Sequence, residues 1–230
     1  MNKAKLQNQL KTKKAFIFDM DGTIIDLEEL NHKGYAETIK KFFNITLNND
    51  DYQKYFSGTR TAEAFDGFLK SKQINDYDVN KLISDFREGK RYNLKNNPDE
   101  VGFLKKGIAN FLNSLKQKGY STCLATSTVK EFVDIILEHF QLKTLFDIVL
   151  TADDVTKGKP NPQIYNTAID RLDITREEAV VFEDSKNGIA SAQNAGIFCV
   201  GILTKGLNDD YVKNADFVIE DFEEINSILN

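Results

Sequence analysis

From Gly107 onward, short apolar runs alternate with amphipathic helical stretches, and few architectures accept that alternation. Ile108, Phe111, Leu112 and Leu115 share a helical face that stops at Gly119, after which Ser121–Ala125 reads as a strand. Val129, Phe132, Val133, Ile136, Leu137 and Phe140 predict the next helix, followed by a strand over 147–150. Ile164, Tyr165, Ala168, Ile169 and Leu172 continue the pattern, then a strand over 179–182, a helix over 188–195, a strand over 198–203 and an edge strand over 217–219. Such strands belong to a mostly parallel sheet with helices on both faces. One further run of this kind stands upstream, Ala15–Phe18, and it ends abruptly in Asp19-Met20-Asp21-Gly22-Thr23.

After Asp26 the period becomes helical for about seventy residues, far beyond the usual loop of about 4 to 6 residues. Tyr35, Ile39, Phe42 and Phe43 share one face, as do Phe65, Phe68 and Leu69, and then Val79, Leu82, Ile83 and Phe86. Three or four amphipathic helices without an intervening strand predict a small bundle, and the polar stretch 95–100 reads as the linker back. The expected fold is therefore α/β: a doubly wound, mostly parallel, Rossmann-like core (1–26 and 98–230) with an inserted α-helical bundle cap domain (27–97).

Composition narrows the classes of function. Thirty basic against 35 acidic residues give a net charge of −5, which argues against a large nucleic-acid footprint. No stretch has the roughly 18–20 apolar residues of a membrane helix, and the first 14 residues are Lys- and Asn-rich without the apolar segment of a secretory signal. They read as a short solvated leader, and cytoplasmic residence follows by default. Cys123 and Cys199 are the two cysteines, and each falls in an apolar strand as a buried thiol rather than part of a disulfide framework.

In doubly wound sheets, ligands bind beyond the carboxyl ends of the strands. Just past those ends stand Asp19 and Asp21, then Thr126 and Ser127, then Glu183 and Asp184, with Lys159 shortly after the strand over 147–150. Extended geometry puts residues i and i+2 on one side, so Asp19 and Asp21 can face a common centre, and Gly22 lets the chain turn. Two such carboxylates are tolerable with a cation or a shared proton. A hard divalent cation with oxygen ligands, Mg²⁺ foremost, fits this donor set, and with a lysine and hydroxyl nearby it suits phosphoryl transfer. Asp19 can then act as nucleophile, forming an aspartyl-phosphate, with Asp21 as acid and then base. An Asp-x-Asp pair alone is weak, since surface loops and nucleotide-sugar enzymes carry it too. Glu183-Asp184-Ser185 alone could be a helix cap. The ordered set is strong.

That set resembles the haloacid dehalogenase superfamily, specifically its β-phosphoglucomutase-like branch. The match runs through Phe16-Ile-Phe-Asp-Met-Asp-Gly-Thr23, Leu124-Ala-Thr-Ser127, Lys157-Gly-Lys-Pro-Asn-Pro162 and Val181-Phe-Glu-Asp-Ser-Lys-Asn-Gly-Ile189. The resemblance implies Asp19 as nucleophile, Asp21 as general acid/base, and Thr126, Ser127 and Lys159 as phosphate-binding groups. It also implies Mg²⁺ held by Asp19, the Asp21 carbonyl and Asp184, with Glu183 at or near that shell, and a cap that closes over the substrate. Dehalogenase members lack a carboxylate at the position of Asp21, so chemistry at an oxygen leaving group is expected.

Within that branch, a mutase implies a His where Asn31 stands, with His32 one place along. It also implies a Lys-Gly…Ser-Arg element where the chain reads Phe56-Ser-Gly-Thr-Arg-Thr61, which leaves Arg60 one place out of register when Gly58 is matched. One residue is roughly 100° around a helix. These departures favour a phosphatase acting on a small phosphorylated metabolite such as a sugar phosphate, with Arg60 as a candidate substrate contact. A hexose-phosphate mutase is second, and a catalytically idle relative that binds a phosphorylated ligand or protein partner is third. No nucleic acid or membrane partner is expected; a monomer is compatible with the sequence, which leaves the oligomeric state open.

Overall fold

The computed structural model describes residues 3–57, 59–97, 102–203, 210 and 212–229. The chain divides into two compact units, Met1–Asp26 with Leu104–Asn230, and Leu27–Phe103. Residue 98, where the sequence places the return from the helical insert, lies outside the described residues, as does Gly58.

The first unit is built on a six-stranded sheet. Its strands are β1 (Ala15–Phe18), β4 (Ser121–Ala125), β5 (Ile148–Leu150), β6 (Ala179–Glu183), β7 (Phe198–Ile202) and β8 (Phe217–Ile219), in the order β5-β4-β1-β6-β7-β8, all parallel. Two short strands, β2 (Ile25–Asp26) and β3 (Phe103–Leu104), lie outside it. Helices α6 (Ile108–Gln117), α7 (Lys130–His139), α8 (Gln163–Leu172), α9 (Lys186–Asn194) and α10 (Phe222–Leu229) complete the unit with α1 (Lys3–Lys11). The strand β1 is central because it is apolar on both faces. Phe16 and Phe18 point to one side, where Phe111 of α6, Phe182 and Phe222 of α10 close around them; the Phe18 and Phe182 rings stack at 4.9 Å. Ile17 points to the other, among Cys123, Ala125, Val181 and Cys199, under the buried faces of α8 and α9. The register pairs Phe18 with both Leu124 and Phe182. The exits of β1, β4 and β6 therefore lie side by side where the chain order reverses across β1, the place where such sheets bind ligands.

Two expectations need correction. The N-terminal residues do not form a solvated leader: residues 3–11 make α1, which packs against α10 with Leu6 and Leu10 fully buried. Two leucines at i and i+4 are enough to give a Lys-rich segment one apolar face. Lys95 and Asn96 do not belong to a linker, because they end the long helix α5 (Val79–Asn96).

The second unit is the helical insert: α2 (Glu28–Phe43), α3 (Asn49–Tyr55), α4 (Thr61–Ser71) and α5. Asn44 in the left-handed conformation ends α2, and the Asn48 and Asp78 side chains cap the N-termini of α3 and α5. Tyr35, Ile39, Phe65, Phe68, Leu69, Leu82 and Phe86 form its core, with Phe42, Phe43, Val79 and Ile83 partly buried around it. The Tyr35 and Phe86 rings stack at 4.1 Å. Among the described residues no helix is long and apolar enough to cross a membrane.

Candidate active site

The exits of β1 and β6 carry the acidic groups, the exit of β4 carries hydroxyls, and the loop after β5 supplies a lysine. Asp19 continues the ladder one residue past β1, its N–H donating to the Phe182 carbonyl at 3.0 Å, so its carboxylate is held where the strand ends. Glu183 is the last residue of β6 and is fully buried; Asp184 follows at 6% exposure. The ammonium of Lys159 joins the three exits, donating to Asp19 Oδ1 at 2.7 Å, to the Ala125 carbonyl of β4 at 3.0 Å and to Glu183 Oε1 at 2.6 Å. A lysine has three N–H donors, and each finds an acceptor at the end of a different strand.

Each oxygen of Glu183 is occupied. Oε1 also accepts from the buried Tyr165 hydroxyl at 2.9 Å, while Oε2 accepts from the backbone N–H groups of Asp184 and Ser185 and from Ser185 Oγ. Space for this carboxylate comes from Gly188 in the first turn of α9, where a Cβ would lie 1.8 Å from Glu183 Oε1. Gly188→Ala should therefore destabilise the fold by about 1–3 kcal/mol through overpacking, and urea denaturation would measure it; a midpoint equal to wild type would show that Glu183 can move aside. Gly22 is constrained twice. Its φ of +81° suits glycine, and a Cβ there would lie 1.9 Å from Asp184 Oδ2. Thr23 Oγ1 donates to Asp184 Oδ1 at 3.4 Å.

Oxygens of Asp19, Glu183 and Asp184 lie within 4.8 Å of one another. When all three are ionised, Lys159 leaves an excess of two negative charges at their centre. Burial raises the Asp19 carboxyl to about 8, against the pull of Lys159 and with the help of Glu183 and Asp21. Burial, then Glu183 and Asp19, hold Asp184 well above the usual carboxylate range. Lys159 is held above the ordinary lysine value, because the carboxylates of Asp19 and Glu183 outweigh the desolvation that opposes them. An all-oxygen donor set with this excess charge fits a hard divalent cation.

Thr126, 1% exposed, donates its N–H to the Leu150 carbonyl and accepts the Thr128 N–H on its Oγ1 at 3.1 Å, which leaves its hydroxyl hydrogen to donate. Ser127 is exposed. Thr128, which the sequence reading passed over, donates Oγ1 to Asp21 Oδ2 at 2.6 Å, while Asp21 Oδ1 is buried without a hydrogen-bond partner among the described residues. Tyr165 was also passed over, since its place on the apolar face of α8 hides its hydroxyl. The only sequence signal for Thr128 is its position two residues after Thr126.

The remaining candidates belong to the helical unit. Arg60 is exposed at the start of α4, with no side-chain cap hydrogen bond there. Asn31 Oδ1 accepts from Lys90 Nζ at 2.9 Å, and His32 packs its ring on Tyr52 with Nε2 buried and without a hydrogen-bond partner among the described residues.

A doubly wound parallel sheet with a paired-aspartate loop and a second acidic pair at its central strand exits, joined by a buried lysine from the loop after β5, places this chain among α/β proteins with an acid-lined site at the carboxyl edge of the sheet. Residues 16–202 match the haloacid dehalogenase-like hydrolase family. Among curated proteins, the phosphorylated carbohydrates phosphatase of Thermotoga maritima is 33% identical over 198 residues, covering 85% of this chain and 87% of that one. The validoxylamine A 7'-phosphate phosphatase of Streptomyces hygroscopicus subsp. limoneus is 30% identical over 212 residues, 92% of this chain and 95% of its own. The structure of CbbY from Rhodobacter sphaeroides in complex with phosphate superposes with a TM-score of 0.83 at 25% identity, covering 94% of this chain and 99% of that one. The chain belongs to the haloacid dehalogenase-like hydrolase family.

Proposed function

We propose that the chain is a Mg²⁺-dependent phosphatase that hydrolyses a small phosphorylated metabolite, a sugar phosphate foremost, through an aspartyl-phosphate on Asp19. The observation that carries this reading is the Lys159 bridge. It fixes one oxygen of Asp19 at a buried strand exit and leaves a cationic group beside it to neutralise a phosphoryl oxygen. The names of the carbohydrate-phosphate and validoxylamine-phosphate phosphatases support the substrate class.

In this reading Asp19 attacks phosphorus while Asp21 gives its proton to the departing ester oxygen, which leaves with the P–O electron pair as an alcohol. Asp21 then takes a proton from water as that water attacks the aspartyl-phosphate. The bond from phosphorus to Asp19 breaks, its electron pair returns to the carboxylate, and inorganic phosphate is released. Thr126 Oγ1 orients a phosphoryl oxygen and the Lys159 ammonium neutralises its charge, with the exposed Ser127 next to Thr126 in the same loop. Asp19, Asp184 and the Asp21 carbonyl are the groups that would hold Mg²⁺. When bound, the cation supplies neutralisation of phosphoryl charge. We assign Glu183 to anchoring Lys159, because each of its oxygens is already committed. Arg60 remains a candidate contact for the rest of the substrate.

Phosphate release from a panel of sugar and polyol phosphates, with and without Mg²⁺, tests the reading. Release that depends on Mg²⁺ is expected. Conversion of β-glucose 1-phosphate to glucose 6-phosphate without release would make the protein a mutase instead. Binding of such esters with neither reaction would mark a non-catalytic relative.

A further inference from the structure

Thr128 is pinned through both of its backbone polar groups. Its N–H donates to Thr126 Oγ1 at 3.1 Å, and its carbonyl accepts the N–H of Ala152, the first residue of the 3₁₀ turn after β5, at 3.0 Å. The residue is therefore fixed by the exits of two adjacent strands, β4 and β5. From that position Oγ1 reaches Asp21 Oδ2 at 2.6 Å, within the short range of a hydroxyl bound to a charged oxygen. The other oxygen, Oδ1, is buried and has no partner among the described residues. A carboxylate held by one oxygen has its torsion set, and only the second oxygen is left to carry a proton. Native proteins seldom leave a buried acceptor unpaired, so Oδ1 marks the point where something else must bind.

We propose that Thr128 is the positioning residue for Asp21: its hydroxyl holds Oδ2 and thereby presents Oδ1 as the atom that exchanges the proton with the leaving oxygen and then with water. This rests on the reading of Asp21 as the proton carrier. The proton on Oδ1 goes to the ester oxygen as the P–O bond breaks, and the proton of the attacking water returns to Oδ1, so the carboxyl is restored in each turnover.

The test uses the leaving group. An alkyl ester needs a proton as it departs, whereas a nitrophenolate departs readily without one. Hydrolysis of glucose 6-phosphate and of 4-nitrophenyl phosphate is measured with the full chain and Mg²⁺ for wild type, Thr128→Val, Thr128→Ser and Asp21→Asn. Thr128→Val should lose about 10- to 100-fold in kcat/KM on the sugar ester, about tenfold more than it loses on the aryl ester, because kcat/KM reports the step in which the leaving oxygen departs and not the shared breakdown of the aspartyl-phosphate. Thr128→Ser, which keeps the hydroxyl, should recover the sugar-ester rate and serves as the folded control. Equal losses on both esters in Thr128→Val, or a Ser variant as impaired as Val, would overturn the inference while a selective loss in Asp21→Asn kept the parent reading. If Asp21→Asn itself showed no dependence on the leaving group, both would fall.

Discussion

Asp19→Asn lowers phosphate release by ~10⁴-fold or more, the scale on which removal of a covalent nucleophile acts, and the variant melts at or above the wild-type temperature. The first effect follows because an amide oxygen cannot form the aspartyl-phosphate. The hydrogen bond from Lys159 survives, since the amide still offers an oxygen where Oδ1 now lies 2.7 Å from Nζ. The second effect follows from the crowding of acids. The folded chain holds the Asp19 carboxyl at about 8, against an ordinary value of ~3.9, so it retains that proton more tightly than the unfolded chain does. The stability contributed by the proton is complete below about pH 4 and is lost as pH rises through about 8. An amide has no charge to desolvate. In cation-free buffer the melting difference in favour of Asn should therefore widen between those limits. Acid-quench trapping of a phosphoryl-protein in the Asn variant would falsify the assignment of the nucleophile, and a variant less stable than wild type at pH 8 would show that the acid cluster is not strained.

Asp21→Asn is the second large effect, and its size depends on the ester. Loss of a general acid costs about 10²- to 10⁴-fold where the leaving oxygen must be protonated. For sugar and polyol phosphates the full loss is expected in the first step. Breakdown of the aspartyl-phosphate also needs Asp21, as base, so with an activated aryl ester the first step survives and the second becomes limiting. The signature is a burst of nitrophenolate of about one equivalent per active site followed by slow turnover. A linear time course with no burst, together with equal losses on alkyl and aryl esters, would remove Asp21 from proton transfer.

The parallel sheet was legible because its strands are apolar on both faces. Runs such as Phe16-Ile-Phe18 and Ala179-Val-Val-Phe182 can hardly be anything but central strands, and the polar residues that end them locate the site edge. Helix faces in the insert were equally plain, since Phe65, Phe68 and Leu69 need only local periodicity. What escaped was structure that depends on tertiary partners. Nothing in the residues around Leu6 and Leu10 announces a docked helix until α10 is there to cover them. Thr128 meets Asp21 across 107 residues of chain, and the Tyr165 hydroxyl meets Glu183 only because α8 packs onto the sheet against β4 and β5. Sequence order places residues at strand ends; it does not say which oxygen of a carboxylate is tied and which is left open.

The single ammonium that ties Asp19, Ala125 and Glu183 has a consequence for how the protein matures. Its acceptors lie up to 140 residues from Lys159 along the chain, and none of them forms a site without the other two strands in register. A nascent or half-refolded chain that has paired β1 with β4 but not yet with β6 still lacks Glu183, and its lysine has no fixed position. Turnover is therefore a property of the completed sheet, and its recovery after dilution from denaturant is expected to track the last of these three strands to take its place rather than the first gain of helix.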